Sequence, residues 1–289
     1  MSGLKHIKNR IQSVKNTQQI TKAMKMVSAS KLRRAQNNIE TAREYSEKLR
    51  ELISSLSFLQ GEVKNPLLEE RQNGKAVVVL ITSDKGLCGA LNTNLCKLVV
   101  QNFPALNEIH PEIEFYCLGK KGRDFLKRRN FKVVKDFVDK KDHEKETAVD
   151  EIFHDITDRY ALGEINAVYI AHNKFKSIMT QEQVMFKMLP LTHETDEKGA
   201  EVYRDFMFEP DPETIVNRLL PEYVSNIGYI GMLDHLASEH SARMTAMDAA
   251  TRNAGEMISK LRLFYNRARQ AAITTELTEI ISGAESINK

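Results

Sequence analysis

The fold class this sequence predicts is an α/β domain with a Rossmann-like, mostly parallel sheet, inserted between N- and C-terminal helices that pair as a long antiparallel coiled coil. Three observations predict it. Residues 4–59 contain no proline and no glycine and keep helical periodicity throughout. No proline follows Pro221, so a second helix-grade stretch fills the C-terminal end. Between them, apolar runs alternate with amphipathic ones, the pattern of a βαβ series.

The first helix is expected over about 4–59. Leu32, Ala35, Ile39, Ala42, Ser46, Leu49, Ile53 and Leu56 recur in steps of three and four, the spacing of a coiled-coil seam. Ile7, Ile11 and Val14 begin the same pattern nearer the start. At 1.5 Å per residue such a helix is on the order of 80 Å long. Gly61 and the Asn65-Pro66 pair are its stop signals.

The run 76–82 (AVVVLIT) reads as a strand buried on both faces. A loop at 83–89 and a helix at 91–102 follow it. A second strand is expected at 113–118, then a basic helix through Arg129 and a third strand at 131–137. An amphipathic helix at 147–162, a strand at 167–171 and an alternating edge strand at 183–189 complete the domain. The polar stretch 192–200 reads as a loop or hairpin tip, and 202–208 as a further extended piece.

The last helix is expected to start near Asp211. Asp211-Pro212-Glu213 supplies an N-cap, a first-turn proline and an acid that complements the helix dipole. Pro221 lies close to that start and is expected to kink or break the helix. Its seam runs Met244, Met247, Thr251, Ala254, Ile258, Leu261, Tyr265, Ala268, Ala272, Thr275. Neither helix can bury its stripe alone, and the two stripes satisfy each other. The domain organisation is thus 1–60 (N-terminal coiled-coil helix), 75–208 (α/β domain) and 211–289 (C-terminal coiled-coil helix).

Charge is strongly segregated. The net charge is only +3, yet the first 39 residues hold nine Lys or Arg and no Asp or Glu. Such a stretch lacks the intrahelical ion pairs that usually support exposed helices, and it points to an anionic partner. The candidates are DNA phosphates or an acidic protein collar. An inserted domain between the basic region and the second half of the seam argues against DNA. A mitochondrial targeting peptide is the other reading of a basic amphipathic start, but here the stretch is Lys-rich and continues as one helix. No run of 18 apolar residues is present, so no membrane span is expected. The eight histidines are scattered, and Cys88, Cys96 and Cys117 have no metal-ligand spacing; free thiols are expected, with no metal and no cofactor.

One glycine-rich strand-to-helix loop, Ser83-Asp84-Lys85-Gly86-Leu87-Cys88-Gly89-Ala90-Leu91-Asn92, has the placement of a phosphate cradle. It fits neither GxGxxG nor GxxxxGK[ST]. A tight turn is the simpler reading, and a structural thiol the simpler reading of Cys88. The Met24, Met26, Met244 and Met247 set is read mainly as gap-filling in the seam.

Three long segments resemble the gamma subunit of F-type ATP synthases of bacterial type. They are Ile11 through Lys31 (IQSVKNTQQITKAMKMVSASK), Ile81 through Asn92 (ITSDKGLCGALN), and Ser238 through Ala254 continued by YNRARQAAIT at 265–274. The resemblance covers essentially the whole chain. It implies a non-catalytic rotor shaft inside a hexamer of alpha and beta subunits. That shaft couples proton-driven rotation of the c-subunit ring to ATP synthesis and helps to regulate ATPase activity. The alpha and beta subunits, the epsilon subunit and the c ring are the implied partners; nucleic acid is not. The implied location is the cytoplasmic side of the cell membrane, held there peripherally. By matched motif, Lys22, Met24 and Lys25 face an acidic lever of beta. Arg269 and Gln270 contact a loop of beta higher in the cavity, and Tyr203 to Glu209 approach the ring and epsilon. The family has Arg where this chain has Lys85. The stretch 190–212 has no cysteine, so no thiol-controlled switching is expected. The readings from other classes are a nucleotide-binding Rossmann-like enzyme and a basic coiled coil that binds nucleic acid.

Overall fold

The structure is a computed structural model and describes residues 2–60, 65–71, 74–141, 144–191, 209 and 211–287. The expectations for 192–200, 202–208 and Tyr203 lie outside the described residues. By compactness the chain divides into two units, Met1–Ala29 with Arg243–Lys289, and Ser30–Ala242.

Two helices frame the chain, α1 (Ser2–Gln60) and α5 (Pro212–Ile287), of 59 and 76 residues. Between them come a 3-10 turn (Pro66–Leu68), β1 (Ala76–Ile81), α2 (Leu91–Ile109), β2 (Ile113–Leu118), α3 (Lys120–Lys127), β3 (Val133–Phe137), α4 (Glu144–Ala161), β4 (Ala167–Phe175) and β5 (Gln181–Leu189). Asn65 caps the 3-10 turn by accepting from the Leu67 N–H at 2.8 Å. Asp211 caps α5, its Oδ1 accepting from Thr214 N at 2.8 Å. Pro221 does not end α5: the helix runs through it, against expectation. Pro104 likewise lies inside α2, which reaches Ile109 instead of 102 because buried Leu106 anchors its last turn.

In the unit Ser30–Ala242, the five strands are ordered β3-β2-β1-β4-β5. The first four are parallel and β5 is antiparallel to β4. Every residue of β1 is buried, as a strand covered on both faces must be. On one face, Val78 and Leu80 pack with Phe115, Cys117 and the α2 residues Leu95, Cys96 and Val99. Gly122 brings α3 against Thr82 and Leu80 on that same face. The other face meets α4 and α5. Tyr116 donates to Asp155 of α4 at 2.5 Å, and Gly228 and Gly231 of α5 lie against Phe153 and Ile170. The seam positions Leu32, Ala35, Ile39, Ala42 and Leu49 of α1 are all buried.

In the other unit, α1 and α5 run antiparallel: Thr21 meets Thr251, and Lys25, further on in α1, meets the earlier Asp248. Met247, Ala254 and Ile258 are buried at predicted seam positions. Thr275 departs from expectation and is exposed. The Thr21–Thr251 register places residue 270 level with Ser2, so no described α1 residue stands opposite Thr275.

Candidate functional site

The ligand crevice of a doubly wound sheet lies beyond the carboxyl ends of its strands, where the strand order reverses. Here that place is between β1 and β4, and the chain's own helix fills it. His235 of α5 is buried; its Nε2 lies 3.3 Å from Ser83 Oγ and its Nδ1 3.1 Å from Asn173 Nδ2. Ser238 donates to the Asn173 carbonyl at 3.1 Å. Asn173 Oδ1 accepts from Gln183 Nε2, which orients the amide so that its Nδ2 donates to His235. His235 Nδ1 therefore accepts, and Nε2–H donates to Ser83. Burial keeps this ring neutral, with its pKa lowered to about 3.

The loop after β1 is braced as a turn. Asp84 Oδ1 accepts from Lys120 N at 2.9 Å and from Asp139 N at 3.0 Å, so a carboxylate of the chain itself takes the anion position at the start of α3. Thr82 Oγ1 accepts from Gly122 N at 2.8 Å. Gly119 has φ +105°, and a Cβ there would overlap the Thr82 carbonyl, so the two crossover turns close on each other. Cys88 is buried and its sulfur accepts from Asn92 Nδ2 at 3.3 Å, the surroundings of a structural thiol. Burial pushes the Cys96 and Cys117 thiols up to about 11 and about 12. Among the described residues no group of three or more His, Cys, Asp or Glu has a metal-holding arrangement.

The residues singled out for partner contact fall in separate places. Lys22 is exposed, Met24 half-buried, and Lys25 bonded to Asp248 across the helix pair. Arg269 and Gln270 are exposed on α5, 18 and 19 residues beyond Thr251, or roughly 27 Å along the helix. They do not form one cluster with Lys22. Glu209 is exposed.

Sequence periodicity missed a second set. Ile20, Met26 and Val27 on α1, and Leu263, Phe264, Ile273, Leu277, Ile280 and Ile281 on α5, are large apolar side chains left exposed. Most sit off the seam. An apolar residue that breaks the three-four spacing was the available signal, and seam reading discards it.

The chain matches the family model described as ATP synthase over residues 3–287. It is 46% identical over 287 residues to an ATP synthase gamma chain of Geotalea uraniireducens (strain Rf4), covering 99% of both chains. It is 45% identical to the ATP synthase gamma chain of Geobacter metallireducens, again covering 99% of each. The chain belongs to the ATP synthase gamma-chain family. Among solved structures it is similar to a chain of the central stalk and c ring of the Tetrahymena thermophila mitochondrial ATP synthase. The TM-score is 0.60 at 26% identity, covering 80% of this chain and 99% of that one. A rotor chain of the Euglena gracilis mitochondrial ATP synthase shares the fold, with TM-score 0.65 at 19% identity over 94% of this chain and 99% of that one.

Gamma chains are non-catalytic central-stalk subunits, which agrees with a switch-point crevice filled by the chain's own helix. The nucleotide-enzyme reading and the nucleic-acid reading therefore have no support. No described helix is long and apolar enough to cross a membrane.

Proposed function

We propose that this chain is the central rotor shaft of a proton-translocating ATP synthase. The observation that carries this reading is the pair formed by Ser2–Ala29 and the last part of α5. Its apolar seam is buried between the two helices at Met247, Ala254 and Ile258, while the α1 side of its outer surface is basic and acid-free and Ile20, Met26, Val27, Leu263 and Phe264 stay exposed. A stiff rod with that outer surface fits inside a ring of alpha and beta subunits. Lys22, Met24 and Lys25 meet an acidic lever of each beta subunit in turn, and Arg269 and Gln270 meet a beta loop further along. Segments 1–60 and 211–289 serve as the coiled coil and 75–208 as the attachment domain. Tyr203 and Glu209 serve as contacts for the c ring and the epsilon subunit. The complex sits at the cytoplasmic face of the cell membrane, and the chain is peripheral to it.

The test is co-expression with the alpha and beta subunits. One copy of this chain per three alpha and three beta is expected, and a chain that stays monodisperse and never joins them overturns the reading. In the assembled complex, Lys22→Glu is expected to change coupling or ATPase regulation with little change in melting temperature, because exposed charges contribute little to folding.

A further inference from the structure

Most of α5 within Ser30–Ala242 packs through apolar side chains: Val216, Leu220, Val224, Met232 and Leu233 are all buried. These side chains, with Gly228 and Gly231 allowing close approach to Phe153 and Ile170, seat the helix on the sheet by shape. One stretch is different. Asp234, His235, Ser238 and Ser241 follow one another at helical spacing on one face, and all four are buried. Together they are bonded to α1, the loop after β1, β4 and β5. Asp234 accepts from Arg43 of α1 at 2.9 Å. His235 joins Ser83 after β1 to Asn173 of β4. Ser238 holds the Asn173 carbonyl, and Ser241 Oγ accepts from Gln181 of β5 at 3.1 Å. A turn of α5 about its axis breaks all of these at once. A buried polar group without its partner is costly, so the arrangement has one angular setting and no near neighbour.

We propose that Asp234, His235 and Ser238 are a torsional key. They are positioning residues that lock the rotational setting of α5 on the sheet, so that torque applied to the α/β unit enters the helix instead of being lost as slip. This rests on the rotor reading above. Asp234 also draws in α1 through Arg43, so both helices that continue into the coiled coil are keyed at one carboxylate.

The experiment uses the complete ATP synthase containing this chain, reconstituted in vesicles. Two variants are compared with wild type: Asp234→Asn combined with Ser238→Ala, and Ser238→Ala alone, which keeps every charge. The readouts are protons pumped per ATP hydrolysed as the opposing gradient builds, and ATP hydrolysis by the detached head, where the shaft carries no load. The key predicts a loss of pumping per ATP that deepens with load, larger in the double variant, with unloaded hydrolysis unchanged. Variants that assemble in wild-type amount and keep the wild-type ratio at every load overturn the proposal. Failure of both variants to assemble also overturns it, since the residues are then structural. A wild-type chain that is absent from the complex, or a complex that pumps without it, instead overturns the rotor reading.

Discussion

Lys25 of α1 and Asp248 of α5 face each other across the helix pair, Nζ to Oδ1 2.6 Å. Their side chains are 44% and 31% exposed, so solvent screens the pair, and its main effect is on register and not on overall stability. Arg252 holds the other carboxylate oxygen of Asp248. The counter-charge for part of the acid-free stretch thus comes from the opposite helix, beside Thr21–Thr251 at 2.8 Å.

Reversing one member of that pair, with Asp248→Lys, places a third cation beside Lys25 and Arg252 and is expected to lower the melting temperature slightly. Adding Lys25→Asp recovers part of the loss, the repulsion from Arg252 remaining. A thermal-unfolding double-mutant cycle checks this. Strictly additive effects of the two changes mean that the pair is not coupled.

Acid sensitivity follows from two buried rings. Burial lowers His235 from its ordinary 6.5 to about 3, and His172 to about 4. The unfolded chain binds protons on both below about pH 6.5, whereas the folded chain does not. Stability is therefore complete above that value and is lost as pH falls toward the folded pKa values. Each ring contributes a slope of at most about 1.4 kcal/mol per pH unit. Glu114 acts in a separate, lower window: its pKa is depressed to about 2, so its contribution is lost only as pH falls from about 4.5 toward 2. Denaturant titrations between pH 7.5 and 5 are expected to show a falling midpoint, and His172→Gln to flatten the fall by about one proton. A flat profile between pH 7 and 5 contradicts the neutral-ring assignment.

The strands were legible because their signal is local: six consecutive apolar residues from Ala76 need burial on both sides, wherever the rest of the chain goes. The seam was legible where it is apolar, as at Leu32, Ile39 and Ile258. It was not legible where it is polar. Gln18 Nε2 donates to the Thr251 carbonyl, and Thr21 and Ser28 are buried, yet hydropathy spacing passes over all three. Lys25 read as a free cation because its partner is 223 residues away. The sheet crevice was the hardest case. The Ser83–Asn92 loop has the composition of a phosphate cradle, and nothing in its spacing announces that His235 and Ser238 pack against Ser83 and Asn173 beside it.

Arg159 is expected to be among the most costly single charges to remove. Its guanidinium donates to Glu114 Oε2 at 2.9 Å and to the Tyr116 hydroxyl at 2.7 Å. The Glu114 side chain is only 5% exposed and also pairs with Lys132 at 2.8 Å and Lys75 at 3.3 Å. Arg159→Leu leaves that buried carboxylate short of one partner, at a cost of about 3 kcal/mol. Lys176→Ala, which removes an exposed pair with Glu182, is the control and is expected to shift the denaturation midpoint negligibly. Equal effects from the two substitutions contradict the burial argument.

Gly228 brings the backbone of α5 against the Phe153 ring of α4. A Cβ there would overlap the Phe153 ring, and that ring is fully buried in a layer with Ile152 and Ile156, so it cannot swing away into solvent. Gly228→Ala has two opposing effects. Alanine is the better helix former by about 1 kcal/mol. Overpacking against a fixed ring costs about 1–3 kcal/mol. The steric effect wins because the neighbour is a rigid ring and not the end of a flexible chain, so the substitution is expected to destabilise the unit. Phe153→Leu alone removes ring atoms from the core and is destabilising as well. Combined, each change relieves the other: the smaller Leu makes room for the new methyl, and the methyl fills part of the space the ring has left. The double variant is therefore expected to be more stable than the sum of the two single losses allows. Denaturant unfolding of all four proteins measures this coupling, and simple addition of the two losses means that Gly228 and Phe153 are not in contact.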